Sequence, residues 1–221
     1  IVLLDVTEKE ESERMRREFT ANVSHELKTP LTSISGYAEI MQNGLVRSED
    51  IPRFAGNIYT ETQRLITLVE DIIKLSQLDE RAVELERTEM DLRAIAQDVA
   101  ERLRVPAKQN RISIRVSGES AKVLGVGRIL DEMIFNLADN AVKYNRTGGK
   151  VEITTGMQDG HAFVEVADNG IGIPERDRER VFERFYRVDK SRSKQIGGTG
   201  LGLSIVKHGA AFHNAHVALQ S

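Results

Sequence analysis

The sequence predicts an α+β protein in which a long helical hairpin precedes a sandwich of helices and strands. Over the first eighty residues the apolar side chains recur at spacings of three and four, which is typical of helices packed along one side. From about residue 90, shorter helical patterns are interspersed with strands of alternating apolar and polar residues. That mixture favours helices packed on one face of a sheet.

The hairpin is predicted from two apolar seams. The first helix should run from Glu8 to about Asn43, where Asn43-Gly44 is a helix-end signal, and the second should begin at Ser48. The seam residues are Leu27, Leu31, Ile34, Ala38 and Met41 in the first helix, and Ile51, Phe54, Ile58, Leu65, Leu68, Val69, Ile72 and Leu75 in the second. Because two antiparallel helices have too little interior to bury both seams, we expect a dimer that forms a four-helix bundle.

The rest of the chain contains shorter elements. A charged linker should occupy about 79–88, and residues 1–8 should form a short strand that leads into the first helix, with Thr7 as its N-cap. The predicted helices are 91–108, 128–144 and 200–212, and the predicted strands are 111–117, 121–126, 151–155 and 162–168.

Composition excludes several classes of protein. A net charge of −3 gives no reason to expect a nucleic-acid partner. The absence of cysteine excludes disulfides, thiolate metal sites and a cysteine nucleophile. No apolar run approaches the roughly 18 residues of a membrane span, and no signal peptide is visible. Because the chain starts at Ile1 rather than methionine, we expect a fragment whose membrane anchor, if any, lies upstream.

One histidine on the first helix is placed for chemistry. At 100° per residue, His25 lies about 180° from Ile34 of the seam, so its imidazole should face solvent. Glu26 adjoins it, and Thr29 lies one turn further on nearly the same face. A carboxylate that accepts a hydrogen bond from one ring nitrogen leaves the other as a nucleophile. Pro30 should kink the helix just beyond His25. The kink either provides local flexibility for a partner that approaches from more than one angle or has no role.

A polar face is predicted on the helix 128–144. Glu132, Asn136 and Asn140 lie at i, i+4 and i+8, and therefore line one side. Amide oxygens suit Mg²⁺, and a lysine can bind a phosphate. The face is extended by Lys143 and Tyr144. By itself this pattern also fits a helix with a solvated outer face.

Two glycine-containing segments have the character of a nucleotide site. Asp168 stands at the end of a strand, where it can accept a hydrogen bond from an exocyclic amine such as that of adenine. Gly170 and Gly172 follow and allow backbone to approach a flat ring. The segment 197–202 runs into a helix and offers bare amides to phosphates. It lacks the Lys-Ser/Thr ending of a P-loop and the βαβ setting of a dinucleotide fold.

A charged stretch lies between those two segments. Residues 175–194 contain more basic than acidic side chains, although the whole chain is acidic. Arg187, at the end of the run 182–187, is a candidate for the terminal phosphate of a nucleotide. The alternative is a solvated loop with a few aromatic anchors.

These motifs resemble one known family. The string from Phe19 to Ile34 closely resembles the phosphoacceptor box of sensor histidine kinases of two-component systems. The four motifs of the second half, in their order and spacing, closely resemble the ATP-binding boxes of the histidine kinase catalytic domain. That domain has the Bergerat fold and shares a superfamily with DNA gyrase, Hsp90 and MutL.

The resemblance implies a domain organisation. Residues 1–8 would be the tail of an upstream sensor domain, of the Per-Arnt-Sim kind, and 9–80 the dimerisation and histidine phosphotransfer domain. Residues 86–221 would be the catalytic ATP-binding domain, an α/β sandwich lacking its final strand, with about 175–197 as a mobile lid over ATP.

The resemblance also implies residue roles. His25 would carry the phosphoryl group, Glu26 would assist, and Thr29 would belong to a dephosphorylation motif. Asn136 would hold Mg²⁺, and Asp168 would read adenine. The implied ATP-binding residues are Asn136, Asn140, Lys143, Tyr144, Asp168, Gly170, Gly172, Arg187, Gly198, Thr199, Gly200, Leu201 and Gly202. The other histidines, His161, His208, His213 and His216, match no catalytic position or metal spacing and should be structural.

The function implied is that of a homodimeric, ATP- and Mg²⁺-dependent protein histidine kinase. It would phosphorylate itself on His25, pass the phosphoryl group to an aspartate on the receiver domain of a response regulator, and dephosphorylate that regulator through Thr29. It would form the cytoplasmic portion of a membrane-anchored bacterial sensor. One alternative is an ATP hydrolase or clamp of the gyrase, Hsp90 and MutL superfamily, in which Glu132 activates water. The other is a catalytically inactive scaffold.

Overall fold

The computed structural model describes residues 7–79, 85–189 and 198–221. The chain divides into two compact units, residues 1–70 and 71–221. The strand predicted at the start of the chain, the middle of the linker and the end of the lid lie outside the described residues. In the part of the chain that is described, no helix combines the length and apolar character needed to cross a membrane.

The first unit is a helical hairpin. Helix α1 spans Thr7–Gln42 and continues through Pro30, and α2 spans Ile51–Asp79 after a 3₁₀ turn at Ser48–Asp50. Gly44, at φ +66°, ends α1, and the amide of Leu45 donates to the carbonyl of Ile40 at 3.1 Å. The predicted helix boundaries are therefore confirmed to within a few residues.

The two helices of the hairpin contact each other through aromatic rings. Tyr37 of α1 and Phe54 of α2 pack edge to face with ring centroids 5.6 Å apart. Part of the predicted seam stays open in the single chain: Leu31 is 51% exposed and Ile51 is 43% exposed. The hairpin buries only part of its apolar surface by itself.

The second unit begins with the last two turns of α2 and continues into an α/β sandwich. In the described residues its further α-helices are α3 (Leu92–Gln109), α4 (Gly127–Lys143) and α5 (Gly202–Phe212). Its strands are β1 (Thr88–Asp91), β2 (Ser113–Gly118), β3 (Lys122–Gly125), β4 (Lys150–Gln158) and β5 (His161–Asp168). Strand β1 was not predicted, and β4 extends three residues beyond the predicted end.

Two sheets form in the described part of this unit. Strands β1 and β3 pair antiparallel, and the larger sheet has the order β2-β4-β5, with β2 parallel and β5 antiparallel to β4. One core residue of the larger sheet is Ile153, which is fully buried. The core packed around it consists of Leu92, Ile95, Ala96, Val99, Leu103, Ala121, Leu130, Ile134 and Ala138. Helices α3 and α4 thus cover one face of the sheet, and the predicted α+β class is confirmed.

Candidate functional site: an exposed histidine and a nucleotide loop

The candidate phosphoacceptor lies on α1 in the first unit. His25 is exposed, and Glu26 is partly buried. The Thr29 hydroxyl donates to the carbonyl of His25 at 3.2 Å, one helical turn back. Pro30 has no amide hydrogen to donate and is buried. The predicted orientation of His25 toward solvent is confirmed.

The polar face of α4 forms one wall of the candidate nucleotide site in the second unit. The side-chain amide of Asn136 donates to Glu132 Oε1 at 3.1 Å and to the Glu132 carbonyl at 2.9 Å. Lys143 Nζ lies 2.6 Å from Asp139 Oδ2. Asn140 is partly buried one turn beyond Asn136 on the same face. Glu132 and Asn136 are therefore in contact, as their spacing predicts.

The glycine-rich loop lies against this wall. A Cβ atom on Gly202 would meet Asn136 Oδ1 at 2.7 Å, and one on Gly198 would meet the Tyr144 hydroxyl at 3.1 Å. A side chain at position 202 would clash with Asn136, and one at position 198 would crowd the Tyr144 hydroxyl. Gly200 adopts φ +76°, a conformation that favours glycine, and its carbonyl accepts from the amide of Phe185 at 2.8 Å.

Leu201 and Thr199 anchor the same loop. Leu201 is fully buried at the start of α5, and Thr199 is 8% exposed. Arg187 Nη2 donates to the Thr199 carbonyl at 2.9 Å. Arg187, the candidate for the terminal phosphate, is thereby joined to the backbone of the glycine-rich loop.

Asp168 stands exposed at the end of β5. Its Oδ1 accepts from the amide of Gly170 at 2.7 Å, and the amide of Ile171 donates to the Tyr144 carbonyl at 3.2 Å. The turn after β5 is thus joined to the end of α4. Gly172, at φ +69°, is exposed two residues beyond Gly170.

The donor set near Asn136 fits a magnesium ion. Mg²⁺ takes hard oxygen ligands and is commonly held by one or two protein groups together with phosphate oxygens. The amide oxygen of Asn136 and the carboxylate of Glu132 are such ligands. Glu132 Oε1 lies 2.9 Å from Lys74 Nζ. Among the described residues, no group of three or more His, Asp or Glu side chains could hold a metal by itself.

Two contacts of this site were not predicted. Lys74 and Asp71, both on α2, reach Glu132 and Thr199 across 58 and 128 residues of sequence. Sequence spacing contains no signal for contacts of that separation. Glu132 was noted as the start of the polar face and, in the hydrolase alternative, as the residue that activates water. Its position four residues before Asn136 was the available signal for their contact.

The four remaining histidines were expected to be structural, and His213 has clear structural contacts. Its Nε2 accepts from the amide of Val126 at 3.0 Å, and its Nδ1 lies 2.9 Å from the Gly209 carbonyl. These bonds require the neutral ring with its proton on Nδ1. Burial lowers the pKa of His213.

Comparisons with known proteins find family matches in both units. Residues 125–221 match the family of histidine kinase-, DNA gyrase B-, and HSP90-like ATPases, and residues 15–81 match the His kinase A (phospho-acceptor) domain. A nucleotide-binding ATPase domain and a phosphoacceptor helix hairpin in one chain are the domain combination that defines the histidine kinase class.

Similarities to individual proteins, which cover most of this chain, agree. The chain is 41% identical to the sensor-like histidine kinase SenX3 of Mycolicibacterium smegmatis, over 98% of this chain and 57% of SenX3. It is 37% identical to the sensor histidine kinase WalK of Bacillus subtilis, over 98% of this chain and 36% of WalK. The solved complex of histidine kinase ThkA with response regulator protein TrrA matches with a TM-score of 0.66 at 27% identity, over 88% of this chain and 60% of that chain.

The chain belongs to the sensor histidine kinase family of two-component systems, as its motifs predict. It spans little more than half the length of SenX3 and about a third of the length of WalK. The ATPase-family match of the second unit identifies ATP as the nucleotide that this domain binds.

Proposed function

We propose that the chain phosphorylates itself on His25 with ATP and passes the phosphoryl group to an aspartate on the receiver domain of a response regulator. The observation that carries the proposal is an exposed histidine beside a carboxylate, in a chain that also has an ATP-binding domain. ThkA, with which the chain shares its fold, is found in complex with a response regulator.

The transfer step assigns a task to each residue of the phosphoacceptor box. One imidazole nitrogen of His25 attacks the γ-phosphorus, the bond to the β,γ-bridging oxygen breaks, and ADP leaves. Glu26 takes the proton from the other ring nitrogen, so that no positive charge remains on the ring. The Thr29 hydroxyl orients a water molecule toward the phosphoaspartate of a docked regulator, which supports a phosphatase activity.

The nucleotide site supplies binding and charge stabilisation. Mg²⁺, held by Asn136 with Glu132 beside it, would neutralise charge on the phosphates. The loop residues Gly198, Gly200 and Gly202 bring backbone close to the phosphates, and Arg187 faces the γ-phosphate. Asp168 accepts a hydrogen bond from the exocyclic amine of adenine. Asn140, Lys143 and Tyr144 contact the nucleotide from the α4 side. The shape of the glycine-rich loop is maintained by Thr199 and Leu201, and that of the turn after β5 by Gly170 and Gly172.

The active form in this proposal is a homodimer. The single chain leaves Leu31 51% exposed, Tyr59 66% exposed and Ile66 45% exposed on the hairpin. A second copy would cover such residues in a four-helix bundle. Since the reaction uses ATP and the named relatives are sensors, we place the chain on the cytoplasmic side of a membrane-anchored bacterial sensor.

The test is incubation of the chain with γ-³²P-labelled ATP and Mg²⁺. Labelled protein should lose its label in acid and keep it in alkali, as a phosphoramidate does. His25→Gln should abolish labelling but keep ATP affinity within about threefold, because His25 lies in a different compact unit from the ATP site. Acid-stable label, or full labelling of His25→Gln, would contradict the proposal.

A further inference from the structure

Asp71 is a buried carboxylate for which the proposed chemistry has no task. It lies in the second unit, at the start of the last two turns of α2, and is 8% exposed. Its Oδ2 accepts a hydrogen bond of 2.7 Å from the Thr199 hydroxyl. Burial raises the pKa of this carboxyl group. A buried charge is an expensive way to gain stability, which suggests that Asp71 is kept for a different reason.

Thr199, the partner of Asp71, joins several parts of the glycine-rich loop. Its hydroxyl oxygen accepts from the amide of Leu201 at 3.3 Å while its proton goes to Asp71. Its carbonyl oxygen accepts from Arg187 Nη2 at 2.9 Å. A restraint on Thr199 therefore acts on the loop backbone, on the first turn of α5 and on the arginine proposed to face the γ-phosphate.

A second contact fixes the end of α2 beside the site. Lys74 lies three residues after Asp71, on nearly the same face of the helix. Its Nζ lies 2.9 Å from Glu132 Oε1, which also accepts from the Asn136 side chain at 3.1 Å. Leu75, the next residue, is fully buried. The ion pair of Lys74 and the burial of Leu75 thus keep Asp71 turned toward Thr199.

We propose that Asp71 is a positioning residue of the ATP site, which acts through Thr199 to hold the glycine-rich loop in its binding conformation. Glycine-rich backbone has large conformational freedom, which binding must remove. A loop already ordered by Asp71 loses less entropy when phosphates bind, so it binds them more tightly. The inference rests on the proposed function only in placing ATP at this loop.

This role is tested by measuring the affinity for nucleotide. The 221-residue chain is titrated calorimetrically with a non-hydrolysable ATP analogue in the presence of Mg²⁺. Asp71→Ala should weaken binding by about five- to fiftyfold, since it removes a buried hydrogen bond to a charged group. Glu70→Ala is the matched control, because Glu70 is the adjacent carboxylate and is exposed. Its affinity should equal that of the wild type.

A double-mutant cycle shows whether Asp71 acts through Thr199. If it does, Asp71→Ala combined with Thr199→Ala should bind no more weakly than the weaker of the two single variants. Losses that multiply would overturn the proposed route. Asp71→Asn keeps an acceptor oxygen for the Thr199 hydroxyl, so its affinity should lie between those of the wild type and Asp71→Ala.

The melting temperature without nucleotide separates positioning from simple support of the fold. A structural role predicts a lower melting temperature for Asp71→Ala or Asp71→Asn with unchanged affinity per folded molecule, and that result would overturn the inference. Should Asp71→Ala not fold, the affinity of Asp71→Asn decides. A wild-type chain that binds no analogue would instead contradict the proposed function.

Discussion

The two compact units hold their candidate functional residues in different ways. In the hairpin, side-chain hydroxyls bond to the carbonyl four residues back, as Ser24 does to Thr20 and Thr29 does to His25. In the ATP-binding unit, contacts such as that of Asp71 with Thr199 join residues far apart in sequence. An exposed residue on a helix can therefore be changed with little effect on folding, whereas residues of the second unit couple binding to packing.

The largest expected effect lies in the hairpin and concerns rate alone. Glu26→Gln should slow autophosphorylation by about 10²–10⁴-fold, because the amide cannot accept the imidazole proton. Thr29→Ala should instead impair dephosphorylation of the regulator and spare autophosphorylation. Label incorporation and the decay of phosphorylated regulator, measured in both variants, check this division.

The control for that pair is Thr60→Ala, which removes an exposed helical hydroxyl that likewise bonds to the carbonyl four residues back. Both rates should be unchanged in it, and all three variants should melt at the wild-type temperature. The division of labour is wrong if Thr29→Ala slows autophosphorylation as deeply as Glu26→Gln and leaves dephosphorylation intact.

An intermediate effect is expected in the ATP-binding unit. Asn136→Ala and Asp168→Ala should each weaken binding of Mg²⁺–ATP by about 1–3 kcal/mol. Asn136→Ala should mainly remove the dependence of binding on Mg²⁺, and Asp168→Ala should mainly remove the preference for adenine over guanine. Titrations with ATP and GTP, with and without Mg²⁺, measure both.

Glu165→Ala serves as the control for Asp168, since it removes an exposed carboxylate from the same strand. It should leave affinity and base preference unchanged. Wild-type selectivity in Asp168→Ala would rule out the adenine role, and an unchanged Mg²⁺ dependence in Asn136→Ala would rule out the metal role.

The smallest expected effect is a pH dependence confined to the second unit. The pKa of His213 is lower in the folded protein than its value of 6.5 in an unfolded chain, chiefly because of burial. Protonation therefore favours the unfolded chain. The contribution of His213 to stability is complete above about pH 6.5 and decreases as the pH falls below that value.

Melting temperatures at pH 7.5 and 5.5 measure this dependence. The decrease on acidification should be smaller in His213→Gln than in the wild type, whereas His216→Gln, which removes an exposed histidine, should behave as the wild type. Equal decreases in all three proteins would show that the bond from the Val126 amide to His213 does not respond to protonation.

The sequence predicted local structure well because local interactions determine it. Helix α1 ends at Asn43-Gly44 since glycine adopts the positive φ required there, and that preference is visible in the sequence. The orientation of His25 follows from helical geometry alone. Strand β1 was missed because four residues, Thr88–Asp91, are too short to show a period, and they are a strand only through pairing with β3.

What the sequence by itself determined is the order of the elements other than β1, the solvent-facing histidine, the polar face of α4 and the glycine-rich loop. Only the tertiary structure showed the hydrogen bonds that join Asp71 to Thr199, Lys74 to Glu132 and His213 to the Val126 amide. The physical reason is that a helical period or a glycine acts over a few residues, and residues far apart become partners only when the core brings their elements together.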